Sequence, residues 1–294
     1  MHDASSEAGP RPTIAVLMAC HNRRDVSLHC VGRVLEQTVS RQGAVRIFVT
    51  DDGSTDGTGQ ALAALSHAVE VTAGSGSLFW ASGMAQAEQR ALPWCPDLLL
   101  WLNDDTILDS DALERLLRCH GDHPDAILVG ATRDPTSGRV TYGGRVRTSR
   151  WHPQRFAHLP ASTRIQKADT FNGNVVLIPA GVQRQVGLID AAYPHGYADD
   201  DYGLRATELG IPILQIPGTV GTCARNPVEE QVRGFDAWRR SQSRKGLPWR
   251  AQAHYWRRHG GRLWVPFFLG QQVRMLLPVH RRDPGRTDVG NGAN

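Results

Sequence analysis

Nothing in the 294 residues reaches the roughly 18 consecutive apolar residues that a membrane-spanning helix needs. The first dozen, MHDASSEAGPRP, lack the apolar stretch of a secretion signal, so the expectation is a cytoplasmic protein. The five cysteines (Cys20, Cys30, Cys95, Cys119, Cys223) are scattered and free of any CxxC pair. They frame neither a disulfide scaffold nor a zinc knuckle, and read as buried thiols. A GxxxxGK[ST] loop is missing, which argues against a Walker nucleotidase. "GSGSLFW" at 74–80 has Gly74 and Gly76 but no third glycine at position 79, so dinucleotide hydride transfer is a poor fit. Without a "GxGTR" loop near the amino terminus, a sugar nucleotidyltransferase is disfavoured too. No internal repeat or low-complexity segment interrupts the chain.

What is present is an ordinary globular composition, 40% hydrophobic and 21% charged, on a chain long enough to bury a substantial core. The charge is unevenly spread. Between Gln231 and Arg286 thirteen Lys or Arg face only Asp236 and Asp283, a net +11; the chain's +4 then leaves −7 elsewhere. An acidic body with a basic tail implies an anionic partner for the tail.

Apolar runs at 13–19 (TIAVLMA), 45–50 (VRIFVT), 68–73 (AVEVTA) and 98–102 (LLLWL) read as strands, with helical spacing after each. That alternation predicts an α/β fold with a parallel or mostly parallel sheet. Further strands are expected at 126–132 and in "VVLIP", a hairpin or flap in "RVTYGGRVRTSRWHPQRFAHLP", and a helix after "YADDDYG". The alternation stops after Gly221. Open parallel sheets bind ligands beyond the carboxyl ends of their strands. "CHNRR", "DDGSTD" and "NDDT" fall at such ends and should converge on one crevice.

The most pointed feature is Asn103, Asp104 and Asp105 directly after the most hydrophobic strand, where adjacent carboxylates raise each other's cost of ionising. Hard divalent cations such as Mg2+ or Mn2+ relieve that repulsion, taking one or two carboxylates plus phosphate oxygens. Helix or loop capping is the other reading. "DDGSTD" reads as a turn with a helix cap, or as a carboxylate that recognises the imide of uracil or thymine. Asp199, Asp200 and Asp201 precede a helix, where capping accounts for some carboxylates but not three. A second acidic site facing the first suits removal of a proton while a diphosphate leaves. Phe79 and Trp80 either pack in the core or stack near a ligand, and Asn172 and Asn174 flank Gly173 as a turn or as sugar-binding groups.

Taken in order, "CHNR", "VTDDGSTDGT", "SLFWASGMAQA", "LLLWLNDDT", "TFNGNVVLIP" and "YPHGYADDDYGLRATELGIPI" resemble glycosyltransferase family 2, over about Thr13 to Thr222. The likeness is closest to its rhamnosyltransferase-like branch of bacterial cell-surface polysaccharide enzymes. The resemblance implies a GT-A fold over 13–225, between a flexible 1–12 and a basic helical extension at 226–294. It implies an inverting, metal-dependent transfer from a nucleotide-diphosphate sugar, dTDP-rhamnose or a UDP-sugar, to a saccharide or lipid-linked acceptor. By that resemblance Asn22, Asp52, Trp80, Asn103 and Asp104 bind the donor, Asp105 the metal, and Asn172 and Asn174 the acceptor. Asp199 is the general base, with Asp201 in support; Ala198 stands where many members have Glu, which keeps Asp201 open as an alternative base. The family's late metal-ligating His has no clear counterpart: Cys223, His254 and His259 fit poorly on spacing. An inactive carbohydrate-binding or scaffold protein of the same fold is the alternative.

For the tail, "RLWVPFFLGQQVRMLLPVHRR" mixes Arg with Trp, Phe and Leu. That suits a peripheral element at an anionic membrane surface, a homodimer interface, or a helix packed on the domain. Nucleic acid is not expected, as no recognised module is present.

Overall fold

The computed structural model describes residues 12–42, 44–149, 151–193, 196–225, Arg239, Gln242 and 248–276. The expected flexibility of residues 1–12 and most of the basic run after 225 lie outside these residues.

In chain order the elements are β1 (Ile14–Cys20), α1 (Arg24–Leu35), α2 (Thr38–Arg41), β2 (Val45–Asp51), α3 (Thr58–Ala63), β3 (Val69–Ala73), α4 (Phe79–Ala91), β4 (Leu98–Leu102), β5 (Ile107–Leu108) and α5 (Ala112–Asp122). There follow β6 (Ile127–Val129), β7 (Thr132–Arg133), β8 (Gly144–Arg147), β9 (Phe156–His158), β10 (Gln166–Ala168), β11 (Thr170–Phe171), β12 (Val175–Pro179), α6 (Ala180–Val186) and α7 (Ala198–Glu208). Last come β13 (Ile213–Gln215), β14 (Gly221–Thr222), α8 (Trp249–His259) and α9 (Trp264–Leu276).

An eight-stranded sheet runs β10-β13-β6-β12-β4-β1-β2-β3. Its β3, β2, β1 and β4 are parallel, as the βα alternation requires. β12 is antiparallel to both β4 and β6, so the sheet is mixed. Helices cover both faces, which explains why β1 and β4 show no polar alternation. Along β1, Ile14, Val16 and Met18 join α1 and α5 on one side, while Ala15 and Leu17 join α4 and α7 on the other. Successive side chains of a strand point to opposite faces, and here both faces are core. β8 and β9 form the expected hairpin.

Two consequences position the chemistry. In the register of β1 with β2, Cys20 lies opposite Asp51, so "HNRR" and "DGSTD" leave the sheet side by side. β12 begins opposite the end of β4, Val175 beside Leu102; being antiparallel, it brings its preceding loop, Asn172–Asn174, to the same edge as Asn103–Asp105. A boundary at 225 does not separate off α8, since Ala251 and Tyr255 lie in the main core and the Tyr255 hydroxyl donates to the Pro153 carbonyl at 2.9 Å.

Candidate active site

The "DDGSTD" turn is held from two sides. Asn22, in a left-handed conformation (φ 49°), accepts the Thr55 N–H at 2.8 Å, and its own N–H donates to Ser54 Oγ. Asp56, just before α3, accepts the Thr58 N–H; the cap position of that helix is Gly57 and carries no side-chain cap bond. Gly53 (φ 73°) lies so close to the backbone of Gly76 that a Cβ there would meet Gly76 Cα at 2.8 Å. Asp52 secures that approach. Its carboxylate accepts N–H groups from Gly76 (2.8 Å), Leu78 (2.9 Å) and Phe79 (2.9 Å), and it is buried. Those three bonds fix the loop that opens α4, where Phe79 is held at φ 57°. The Asn22 side-chain oxygen clamps the turn through Thr55.

Asp104 and Asp105 share one cation, and it is internal. Arg23 Nη1 lies 3.2 Å from Asp104 and 3.0 Å from Asp105. Asp104 also accepts the Ser27 hydroxyl at 3.2 Å and is buried behind it. Burial pushes the Asp104 carboxyl up to about 6, against the pull of Arg23 and with a further push from Asp105. Asp105 is the more accessible of the two and accepts the Cys223 thiol at 3.4 Å. That thiol is raised to about 12, by burial first and by Asp105 next, so it remains a donor. Asn174 is buried with its amide on Cys223 Sγ at 3.5 Å. Asn174 thus props up the Asp105 side of the site.

The donor set suits a hard divalent ion. Two carboxylates already converge on one positive group, the guanidinium, and Mg2+ or Mn2+ completes its shell with water and phosphate oxygens. Among the described residues no group of three His, Cys, Asp or Glu side chains forms a self-sufficient metal site. A cation here would draw its remaining ligands from outside the chain.

Trp80 ties this edge to the Asp199 segment. Its indole N–H donates to Asn103 Oδ1 at 2.8 Å while the ring packs edge-on against Trp101. The same ring covers Gly173, where a Cβ would meet Trp80 Cζ2 at 2.7 Å. Gly173 in turn donates its N–H to Asp199 Oδ2 at 3.2 Å. The core-packing reading of Trp80 thus holds for one side of the ring, and only a glycine fits beneath it. Asn172, also at this edge, has its Oδ1 buried without a hydrogen-bond partner among the described residues.

The three carboxylates of "ADDDY" have three different surroundings. Asp199, half-buried, accepts N–H groups from Gly173 and Asp200, which fixes its orientation and leaves further lone pairs open. Asp200 pairs with Arg145 at 2.5 Å; burial pushes its carboxyl up to about 7 even with that cation alongside. Asp201 is fully buried. It accepts from Tyr193 Oη (3.1 Å), Arg205 Nε (2.8 Å), Arg258 Nη1 (2.8 Å) and His259 Nε2 (2.9 Å). Burial alone would raise it, but these donors outweigh burial and hold it well below the usual carboxylate range. Asp201 is thereby corrected as an alternative base: it is sealed in a structural knot joining α7 to α8.

Sequence reasoning missed Arg23 and Ser27, which lie in or just after the strand-end segment "CHNRR", and the pairing of Arg258 and His259 with Asp201 across 57 and 58 positions. It also set Cys223 aside on spacing, although the residue follows β14 directly onto Asp105.

A family model described as "Glycosyl transferase family 2" matches residues 15–178, more than half of the chain. No curated protein matches by sequence. Among solved structures, the mannosyltransferase PcManGT from Pyrobaculum calidifontis, in complex with GDP-Man and Mn2+, is similar with a TM-score of 0.54 at 18% identity, over 85% of this chain and 64% of that one. S. aureus TarS 1–349 in complex with UDP-GlcNAc gives 0.58 at 11% identity, over 83% and 65%. The chain spans a little under two thirds of the length of these solved chains. At such identities the likeness carries the fold, a GT-A arrangement.

Proposed function

The chain belongs to glycosyl transferase family 2, and from that premise we propose that it moves a sugar, with inversion, from a nucleotide-diphosphate donor to a hydroxyl of a saccharide or lipid-linked acceptor in cell-surface glycan synthesis. The observation that carries this reading is the continuous contact from Asn103 through Trp80 and Gly173 to Asp199, which joins the paired carboxylates to a separate, oriented carboxylate. Within the family, the likeness of the ordered motifs to the rhamnosyltransferase-like branch supports dTDP-rhamnose or a UDP-sugar as donor.

Asp105, backed by Asp104, would hold Mg2+ or Mn2+. When bound, that ion offsets the charge developing on the leaving group, a contribution of several kcal/mol. Trp80 and Asn103 form the donor side of the crevice. Asp199 takes the proton from the acceptor hydroxyl as its oxygen attacks the anomeric carbon from the face opposite the diphosphate. The N–H groups of Gly173 and Asp200 keep the Asp199 carboxylate aimed during that transfer. Asn172, whose buried Oδ1 lacks a partner among the described residues, would accept from an acceptor hydroxyl. A positioned base contributes about 10² to 10⁴ in rate, or roughly 3 to 5 kcal/mol.

The test is a comparison of Asp199→Asn with Asp105→Ala, using dTDP-rhamnose, UDP-sugars and GDP-mannose with and without Mn2+. Asp199→Asn should abolish transfer and keep donor affinity, whereas Asp105→Ala should weaken Mn2+-dependent donor binding. Equal loss of donor affinity in both variants rejects this division of roles.

A further inference from the structure

Helix α9 is turned inside out relative to a helix that closes a core. Its glutamines face the protein: Gln272 donates to Gln252 Oε1 of α8 at 2.9 Å, and Gln271 reaches the same oxygen. Val265, Leu269, Val273 and Leu276, spaced four, four and three residues apart, line one outward stripe and are each 44–56% exposed. Only Phe268 of this helix is buried, and Phe267 stacks on Trp256 of α8. No helix among the described residues is long and apolar enough to cross a membrane, and α9 has 13 residues.

Within α8, α9 and the turn between them the charge is of one sign. Residues 248–276 carry five arginines and no carboxylate. Arg258 is committed to Asp190 and Asp201. Among the described residues no ion pair involves Arg250, Arg257, Arg262 or Arg274, and Arg262 and Arg274 are exposed on and beside α9. A second copy of the chain laid on this stripe would bring its own arginines against these. An apolar ridge flanked by uncompensated arginines is instead complementary to an interface whose interior is hydrocarbon and whose headgroups are anionic.

We propose that the α9 face docks the protein on an anionic phospholipid bilayer, the apolar stripe entering the headgroup–acyl boundary and the arginines pairing with lipid phosphates. This surface goes beyond the transfer chemistry and does not depend on it. The same α8 that carries α9 is anchored on Asp201, two residues beyond Asp199, so docking fixes the crevice relative to the bilayer.

Flotation of the full chain with vesicles of phosphatidylcholine, alone or mixed with phosphatidylglycerol, tests it. The wild-type chain should float with the mixed vesicles, lose that binding in high salt, and ignore phosphatidylcholine alone. Leu269→Glu with Val273→Glu, and separately Arg262→Ser with Arg274→Ser, should each weaken binding about tenfold or more with unchanged circular dichroism and melting temperature. A wild-type chain that does not float, or paired variants that float like the wild type, overturns the proposal. A dimer seen by light scattering that the Leu269/Val273 variant dissolves, without any flotation, assigns the face to a second copy and overturns it as well. None of these readouts involves sugar transfer, so failure here is distinct from failure of the proposed reaction.

Discussion

Replacing Asp201 by Asn separates a structural carboxylate from the one proposed as the base. Asp201 is fully buried and receives donors from Tyr193, Arg205, Arg258 and His259. Asn keeps one acceptor oxygen, turns the other into a donor facing donors, and removes the charge opposite two guanidinium groups. Breaking a buried ion pair by removing one partner costs about 3–5 kcal/mol. Two features moderate this: the Arg258 side chain is 34% exposed and also meets Asp190, and Arg205 additionally donates to the carbonyls of Val186 and Leu188. A loss of roughly 2–4 kcal/mol follows. At about 2–4 °C per kcal/mol for a domain of this size, the melting temperature should fall by roughly 5–15 °C. Asp199→Asn, at a half-buried site with only two backbone donors, should melt within about 3 °C of wild type and lose at least about 100-fold in transfer rate. The assay is thermal unfolding followed by circular dichroism, paired with transfer measured well below either midpoint. The pH dependence adds a sign. A carboxylate held below its unfolded value stabilises above that value, and the contribution disappears as pH falls through the folded one. The gap between wild type and Asp201→Asn should therefore close on acidification below about pH 4. An Asp201→Asn protein that melts like the wild type, or one that loses transfer while Asp199→Asn keeps it, refutes the assignment.

Other outcomes test the neighbouring groups. Arg23→Gln removes the guanidinium shared by Asp104 and Asp105, and should tighten Mn2+ binding to the donor-free protein by about tenfold or more, since a unit charge at such range interacts at about 4 kcal/mol near a protein surface before screening; isothermal titration giving equal or weaker affinity would contradict the competition. Gly173→Ala places a Cβ 2.7 Å from the Trp80 ring and should cost about 1–3 kcal/mol in chemical denaturation and lower the transfer rate. If neither quantity changes, Trp80 is not braced on Gly173. Glu88 is buried against Gln183 and the Ile189 N–H, and burial pushes it from 4.5 to about 7. Between those values the folded state keeps a proton that the unfolded chain releases, so stability should fall by up to about 1.4 kcal/mol per pH unit as pH rises, then level off above about 7. Glu88→Gln should lack that fall, and a parallel profile in the variant would show that Glu88 titrates normally.

Much of the fold was legible because it rests on local signals. β1 and β4 announce themselves as apolar runs, the turn after β2 as glycine and aspartate chemistry, and the helical spacing between them forces a largely parallel sheet. The strand-end segments did gather at one edge, but a motif names a residue type without its partner. The oxygens of Asp52 and Asn22 accept backbone N–H groups of adjacent loops, partners that no motif names. The Asn174 amide likewise turns to Cys223. "ADDDY" reads as three equivalent acids, yet a helix start sends consecutive side chains in different directions. One meets Gly173, one meets Arg145, and one enters the knot with α8.

By itself, then, the sequence determined which segments become strands, which loops crowd the sheet's carboxyl edge, and that this edge is acidic, because periodicity and turn chemistry act within a few residues. Tertiary structure alone decided that β12 enters antiparallel and carries Gly173 beneath Trp80, that Arg23 lies between Asp104 and Asp105, and that α8 closes on Asp201. Those pairings span from 57 to 93 positions of chain. Their selection comes from burial and from the cost of leaving a charge unpaired, quantities that exist only once distant segments have met.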